Sequence, residues 1–133
     1  MSGDVAYLDT SAVVKLLVEE EESAALRRAL RRWPRRASSS LLRVELVRTV
    51  RRADRAPLMA RVRRQLRAIH LVGLDDDTLD RAAALDPPSL RSLDAIHLAT
   101  AMAIGADLGV FVTYDERLRQ AADALALVTA APS

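Results

Sequence analysis

Two apolar segments of the chain are each followed directly by an aspartate. Residues 5–8 (VAYL) precede Asp9, and residues 110–114 (VFVTY) precede Asp115. Short apolar runs of this length predict buried strands. In an open α/β sheet, ligands bind at the edge formed by the carboxyl ends of the strands. The pattern therefore predicts a sheet with acidic side chains along its ligand-binding edge.

Strand and helix signals alternate along the rest of the chain. Further strands are predicted at residues 37–39, 69–72 and 125–129, and helices begin near residues 10, 23, 41, 57, 77, 93 and 116. Strands that alternate with helices of this length favour a parallel sheet of about five strands, covered by helices on both faces. A length of 133 residues fits one domain, 1–133.

Local signals also predict where some helices begin and which are buried. Thr10 or Ser11 is expected to cap the first helix, and Asp77 the helix that ends near residue 85. The helix at residues 93–104 is apolar nearly all round, which predicts that it is buried.

The composition excludes several kinds of site. The chain has no cysteine, so it has no disulfide, thiolate nucleophile or zinc ribbon, and a metal would need oxygen ligands or His70 and His97. Its four glycines, at positions 3, 73, 105 and 109, do not form a phosphate-binding glycine loop. Its apolar stretches fall short of the roughly 20 residues of a membrane span. We therefore expect a soluble cytoplasmic protein.

Basic residues are concentrated in one part of the chain. Residues 27–67 contain fifteen Arg against two acids, a balance of +13 within a net charge of only +2. Such a block is typical either of a surface that binds a polyanion or of the solvated faces of amphipathic helices. Both interpretations remain open at this stage.

Each acidic candidate also has an ordinary structural explanation. Asp9, Asp94 and Asp115 lie where a carboxylate caps a helix or interacts favourably with the positive end of the helix dipole. Glu45 could be a solvated helical residue paired with Arg48, worth only ~0.2 to 0.5 kcal/mol. A single metal site, however, explains all four positions at once, whereas the alternative requires four separate explanations.

Four motifs carry a resemblance to a known family. DTSAVVKL, RVELVR, LRSLDAIHLATA and TYDERL contain the four acids in order, and together they span nearly the whole chain. The sequence resembles PIN-domain ribonucleases, specifically VapC-type toxins of bacterial toxin–antitoxin pairs. It departs from the expected pattern at Ala126, where a glycine is expected before the last strand.

The resemblance implies a PIN-like three-layer α/β/α sandwich and an Mg²⁺- or Mn²⁺-dependent endoribonuclease. Asp9, Glu45, Asp94 and Asp115 would form the acidic site, with Asp9 and Asp94 as direct ligands and the other two acting through water or a second ion. Mg²⁺ takes oxygen ligands and keeps several waters, in agreement with this assignment. The resemblance further implies RNA as substrate, a cognate antitoxin that covers the site, and a homodimer.

Three further polar residues have predicted roles near the four acids. Ser11 and Thr113 could hydrogen-bond the ligating carboxylates, and His97 fits a packed core histidine better than a general base.

A phosphatase or receiver domain fits poorly, because Ser11 stands where a phosphatase needs a second Asp and Lys15 is the only lysine. A DNA flap nuclease would need extra helices. The remaining alternative is a non-catalytic, Arg-rich nucleic-acid-binding module.

Overall fold

In a computed structural model that describes residues 3–133, five strands form one parallel sheet. The strands are β1 Val5–Leu8, β2 Arg35–Ser39, β3 His70–Val72, β4 Leu108–Val112 and β5 Thr129–Ala130. Their order is β3-β2-β1-β4-β5, and each neighbouring pair is parallel. The predicted α/β class with a five-stranded parallel sheet is confirmed.

Seven α-helices connect and flank these strands in the described part of the chain. They are α1 Thr10–Leu17, α2 Ser23–Ala29, α3 Leu42–Arg52, α4 Met59–Ala68, α5 Asp76–Ala83, α6 Ser92–Ile104 and α7 Glu116–Ala124. Within residues 3–133, none of them combines the length and apolar character that crossing a bilayer requires.

The central strands send alternate side chains to two separate cores. Leu8 and Val112 pack with residues of α1 to α4 on one face of the sheet. Tyr7 and Phe111 pack with α6 and α7 on the other face. This alternation follows from the two-residue repeat of a strand, and it produces the predicted three layers of helix, sheet and helix.

The strand order reverses at β1. From β1 the chain runs outward to β2 and β3, then returns to place β4 and β5 on the opposite side of β1. The backbone N–H of Asp9 donates to the carbonyl of Val112 at 3.2 Å, so the carboxyl ends of β1 and β4 lie side by side. A crevice at such a reversal is the usual ligand site of an open parallel sheet.

The structure confirms Asp9 as a helix cap, but the caps first expected for α1 and α5 were wrong by one or two residues. Asp9, rather than Thr10 or Ser11, caps α1, and its carboxylate accepts the backbone N–H of Ala12 at 3.0 Å. Asp75, rather than Asp77, caps α5. Both caps have extended backbone, with ψ of 178° for Asp9 and 170° for Asp75. This conformation lets a short carboxylate reach back to the first turn.

The last strand also begins later than predicted. Helix α7 continues to Ala124, so residues 125–128 connect it to β5, and β5 itself starts at Thr129. Ala126 has φ of 62°, in the left-handed region that favours glycine. The alanine that departs from the family pattern therefore lies where the backbone does require an unusual conformation.

Candidate active site at the carboxyl edge of the sheet

Asp9 is a buried carboxylate at the reversal point of the sheet. The residue is only 4% exposed, although it directly follows β1 and its backbone N–H bonds to the end of β4. Burial raises the pKa of Asp9, an effect that hydrogen bonds from Thr113, Ser11 and Ala12 partly offset. The fold thus holds a carboxylate where its ionised form is disfavoured, which is a common property of functional sites.

Hydroxyl groups from two elements orient the Asp9 carboxylate. The Ser11 hydroxyl donates to Oδ1 at 2.7 Å, and the Thr113 hydroxyl donates to Oδ2 at 2.6 Å. Thr113 Oγ1 also accepts the backbone N–H of Asp115 at 3.0 Å. The predicted hydrogen bonds of Ser11 and Thr113 to a site carboxylate are therefore confirmed for Asp9, and Thr113 connects Asp9 to the start of α7.

Glu45 reaches the same edge from helix α3. Its Oε1 accepts the Thr10 hydroxyl at 2.7 Å and lies 2.7 Å from Nε2 of His97 on α6. Burial acts to raise the pKa of Glu45, but the hydrogen bonds from His97 and the Thr10 hydroxyl outweigh it and lower the pKa. Both hydrogen bonds converge on Oε1, and neither uses Oε2. Glu45 is therefore ionised and held by one oxygen.

Asp94 and Asp115 lie at the starts of the two helices that cover this edge. Asp94 is in the first turn of α6, with a side chain 19% exposed and 3.7 Å from the Arg91 guanidinium. Burial and the negative charge of Asp115 raise the pKa of Asp94, and Glu45 contributes in the same direction. Asp115 caps α7 and accepts two backbone N–H groups at 3.0 and 3.2 Å. The effects of Asp115 and Glu45 on the pKa of Asp94 indicate that these three carboxylates lie close enough to repel one another.

The donor set of this edge suits a hard cation that keeps part of its water shell. Every candidate ligand is a carboxylate oxygen, which Mg²⁺ prefers. Within residues 3–133, no three Asp, Glu or His side chains are placed so that they hold a metal ion by themselves. Mg²⁺ does not need such a cage, because one or two carboxylates, water and substrate phosphates normally complete its coordination.

Arginine side chains lie next to the acidic edge. A surface cleft of about 310 Å³ is lined by Glu45 and Thr10 together with Arg48 and Arg52 from the same helix α3. The exposed side chain of Leu93, just before Asp94, lines its other wall. Two arginines of the basic segment, Arg48 and Arg52, therefore line the same cleft as Glu45.

The sequence favoured a packed core histidine at His97 and did not single out Tyr7. His97 is buried and hydrogen-bonded, as predicted, but it also joins Tyr7 to Glu45. Its position three residues after Asp94 was the only available signal. A tyrosine within an otherwise aliphatic strand was the corresponding signal for Tyr7.

Comparison with known proteins decides the family. Residues 6–124 match the PIN domain family. The chain belongs to the PIN-domain family. Among curated relatives, it is 49% identical over 127 residues to Ribonuclease VapC46 of Mycobacterium tuberculosis, covering 96% of this chain and 97% of the relative. The same organism's Ribonuclease VapC47 is 41% identical over 130 residues, covering 95% and 96%.

A solved structure of this fold also matches. The "Toxin-antitoxin complex from Klebsiella pneumoniae" aligns with a TM-score of 0.66 and 25% sequence identity, covering 83% of this chain and 86% of that one. Together, these matches confirm the predicted resemblance to VapC-type PIN-domain proteins.

Proposed function

We propose that this PIN-domain protein is an Mg²⁺- or Mn²⁺-dependent endoribonuclease and the toxin of a toxin–antitoxin pair. The observation that carries the proposal is Asp9, a buried carboxylate kept at the reversal point of the sheet, where the next residue, Thr10, donates to a second carboxylate, Glu45. Folding alone does not favour this arrangement. The names of the VapC relatives support ribonuclease activity, and the Klebsiella complex supports an antitoxin partner.

Asp9 and Asp94 are proposed as direct ligands of the ion, with Glu45 and Asp115 acting through water or on a second ion. When bound, the ion supplies the Lewis acidity that activates water and offsets negative charge on the phosphodiester. Ser11 and Thr113 keep the Asp9 carboxylate in one orientation. Such outer hydrogen bonds fix ligand geometry and are worth about 10- to 100-fold in metal affinity or activity.

Arg48 and Arg52 are proposed to hold the RNA backbone. Both line the cleft that contains Glu45, and a guanidinium group can bind phosphate oxygens through two hydrogen bonds. An RNA strand attracted to these side chains would pass next to the carboxylates. Cleavage would then require the cation, because the acidic edge by itself repels phosphate.

The toxin role implies further partners. A cognate antitoxin segment that places a basic side chain against the carboxylates would both cover the site and replace the cation. A homodimer and action in the cytoplasm, where the RNA substrate is made and used, complete the proposal.

Cleavage of RNA by the purified protein tests the proposal. Wild-type protein should cut RNA with Mg²⁺ or Mn²⁺ and stop when EDTA is added, and Asp9→Asn should cut about 100-fold more slowly or worse. Sequencing of RNA ends after induction, compared with Asp9→Asn, would identify the cleavage sites. RNA binding without metal-dependent cleavage would instead favour a non-catalytic, Arg-rich nucleic-acid-binding module.

A further inference from the structure

A row of hydrogen bonds runs from the middle of the sheet to the acidic edge. The Tyr7 hydroxyl on β1 lies 2.7 Å from Nδ1 of His97, and Nε2 of His97 lies 2.7 Å from Oε1 of Glu45. Tyr7 is fully buried and His97 is 2% exposed. The contacts connect β1, α6 and α3, so the row crosses from the helical layer containing α6 to the layer containing α3.

The chemistry of the partners determines which atoms carry the protons. A carboxylate oxygen accepts hydrogen bonds, so Nε2 of His97 is the donor to Oε1 of Glu45. In a neutral imidazole the other nitrogen is then an acceptor. The Tyr7 hydroxyl, 2.7 Å from Nδ1, is therefore the donor of the second hydrogen bond. The direction of both hydrogen bonds is therefore defined.

Packing alone does not explain these polar side chains. The Tyr7 ring stacks on Phe111, with ring centroids 5.2 Å apart and planes 6° from parallel, a contact that phenylalanine would make equally well. The Tyr7 hydroxyl and the His97 ring nitrogens must instead be removed from water, which is unfavourable unless they are hydrogen-bonded. The hydrogen bonds that they form lead to a carboxylate of the acidic edge, Glu45.

We propose that Tyr7 and His97 are positioning residues for Glu45, an inference that rests on the proposed nuclease function. Tyr7 holds His97 in the Nε2–H tautomer, and His97 together with Thr10 anchors Oε1 of Glu45. Oε2, which neither hydrogen bond uses, is thereby kept in a fixed orientation at the acidic edge for a cation or its water. A histidine that donates to a carboxylate and is itself oriented by a further group is the usual construction of a supporting shell.

The tautomer can be observed without any cleavage assay. The chain contains only His70 and His97, so the ¹⁵N spectrum of the histidine rings can be assigned with a His70→Gln variant. Wild-type His97 should show protonated Nε2 and hydrogen-bonded, unprotonated Nδ1. In Tyr7→Phe the Nδ1 resonance should shift because its donor is removed. Protonated Nδ1 with unprotonated Nε2 in the wild type would overturn the proposal.

Metal affinity and turnover test the consequence for the site. His97→Leu should weaken Mn²⁺ binding, measured by calorimetry, by about 10- to 100-fold and lower kcat by a similar factor. His97→Gln, whose amide can still donate to Glu45, should recover most of this loss. Tyr7→Phe should have a smaller effect in the same direction. KM should change little, because none of these side chains lines the arginine cleft.

Tyr114→Phe is the matched control. It also removes a phenol that donates a hydrogen bond, here to the carbonyl of Pro132 at 2.8 Å, but it does not contact Glu45. Tyr114→Phe should therefore keep wild-type Mn²⁺ affinity and kcat. Melting curves identify any variant that fails to fold. If His97→Leu does not fold, Tyr7→Phe tests the positioning role, since phenylalanine preserves the stacking on Phe111.

The outcomes separate this inference from the proposed function. One outcome would overturn the positioning role alone. In it, the wild-type protein cleaves RNA and binds Mn²⁺, and folded Tyr7→Phe and His97→Leu both keep Mn²⁺ affinity and kcat within twofold of wild type. Wild-type protein that neither binds Mn²⁺ nor cleaves RNA would overturn the proposed function, and the positioning role with it. Loss in His97→Leu without recovery in His97→Gln would also contradict the role, because it would show that the hydrogen bond to Glu45 is not what matters.

Discussion

The four carboxylates of the acidic edge fall into an inner and an outer pair. The inner pair, Asp9 and Glu45, receives side-chain hydrogen bonds from residues far along the chain, such as the Thr113 hydroxyl 104 residues from Asp9. The outer pair, Asp94 and Asp115, begins helices and is held mainly by groups of its own helix or just before it. The inner pair is thus fixed by contacts between distant parts of the chain, whereas the outer pair is fixed mainly by local contacts.

Even within the inner pair, the environments act in opposite directions. The pKa of Asp9 is raised because hydroxyl and amide donors do not fully offset its burial. The pKa of Glu45 is lowered because, against its smaller burial, it has His97 and Thr10 as donors. Two carboxylates at one site therefore differ in proton affinity because of their partners.

The largest expected effect is loss of cleavage when a ligand from either pair is neutralised. Asp9→Asn and Asp94→Asn should each lower kcat by about 10²- to 10³-fold, since the Lewis acidity of a bound ion is worth several kcal/mol. Initial rates on a fluorescent RNA measure this, with circular dichroism as a check on folding. Near wild-type rates in either folded variant would remove that residue from the site.

Next in size is the effect of the arginines beside Glu45. The double variant Arg48→Gln/Arg52→Gln should bind RNA about tenfold more weakly at 0.1 M salt, and the slope of its salt dependence should flatten by about 0.7 for each phosphate that the protein no longer neutralises. Fluorescence anisotropy at several salt concentrations measures both quantities.

A matched double variant, Arg63→Gln/Arg67→Gln on α4, makes the same charge change away from the acidic cleft. It should have the smaller effect on the salt slope. Equal slopes for the two double variants would mean that the whole basic segment attracts RNA diffusely, with no track leading to the inner pair.

Added Mg²⁺ should stabilise the folded protein by binding it in preference to the unfolded chain. At ten times the dissociation constant, the gain is about 1.4 kcal/mol, or about 5 °C in Tm for a domain of this size. Scanning fluorimetry with and without Mg²⁺ measures the shift, and Ca²⁺ at equal ionic strength provides a comparison for specificity. Asp94→Asn should show less of the shift, because it lacks one proposed ligand. The same Tm increase in Asp94→Asn would indicate that the ion acts elsewhere.

The inner pair should respond to pH with opposite signs. A raised folded pKa means that Asp9 contributes stability below its unfolded pKa of about 3.9 and loses it as pH rises through the folded value. Asp9→Asn should therefore melt above wild type at pH 7.5, with the difference narrowing toward pH 4. Glu45, whose folded pKa is lowered, contributes stability above its unfolded pKa of about 4.3 and loses it as pH falls through the folded value.

Glu45→Gln is accordingly the matched variant for Asp9→Asn. It should melt below wild type at pH 7.5 and approach it in acid. Differential scanning calorimetry across pH 4 to 8 without divalent cations measures both variants. Shifts of the same sign would show that the two environments do not differ as the hydrogen bonds indicate.

The smallest effect is expected outside the acidic edge, at the turn before β5. Ala126 adopts φ of 62°, which costs an L-residue about 1 to 2 kcal/mol. Glycine avoids this cost, but it also gives the unfolded chain more conformational freedom, which offsets part of the gain in stability. Ala126→Gly should therefore gain about 0.5 to 1 kcal/mol, or about 2 to 4 °C in Tm, with unchanged cleavage. Unlike the gain in Asp9→Asn, this one should not vary with pH.

Much of the fold could be predicted because its signals are local. Apolar runs at residues 5–8 and 110–113, each closely followed by an aspartate, identify strands that end at one edge, and the apolar helix at 93–104 identifies a buried one. Errors occurred where two nearby residues could perform the same task, as at the caps Asp9 and Asp75. Such choices depend on backbone angles that side-chain type alone does not determine.

The sequence by itself determined that Asp9 and Asp115 lie at one edge of a parallel sheet, because each closely follows a predicted strand and parallel strands end at the same edge. Only the tertiary structure decided what each carboxylate contacts. Thr113 reaches Asp9 because β4 lies beside β1, and His97 reaches Glu45 because α6 and α3 meet over the sheet edge. Hydrogen bonds act over about 3 Å, so these partners, and with them the direction of each pKa shift, exist only once both helical layers are packed on the sheet.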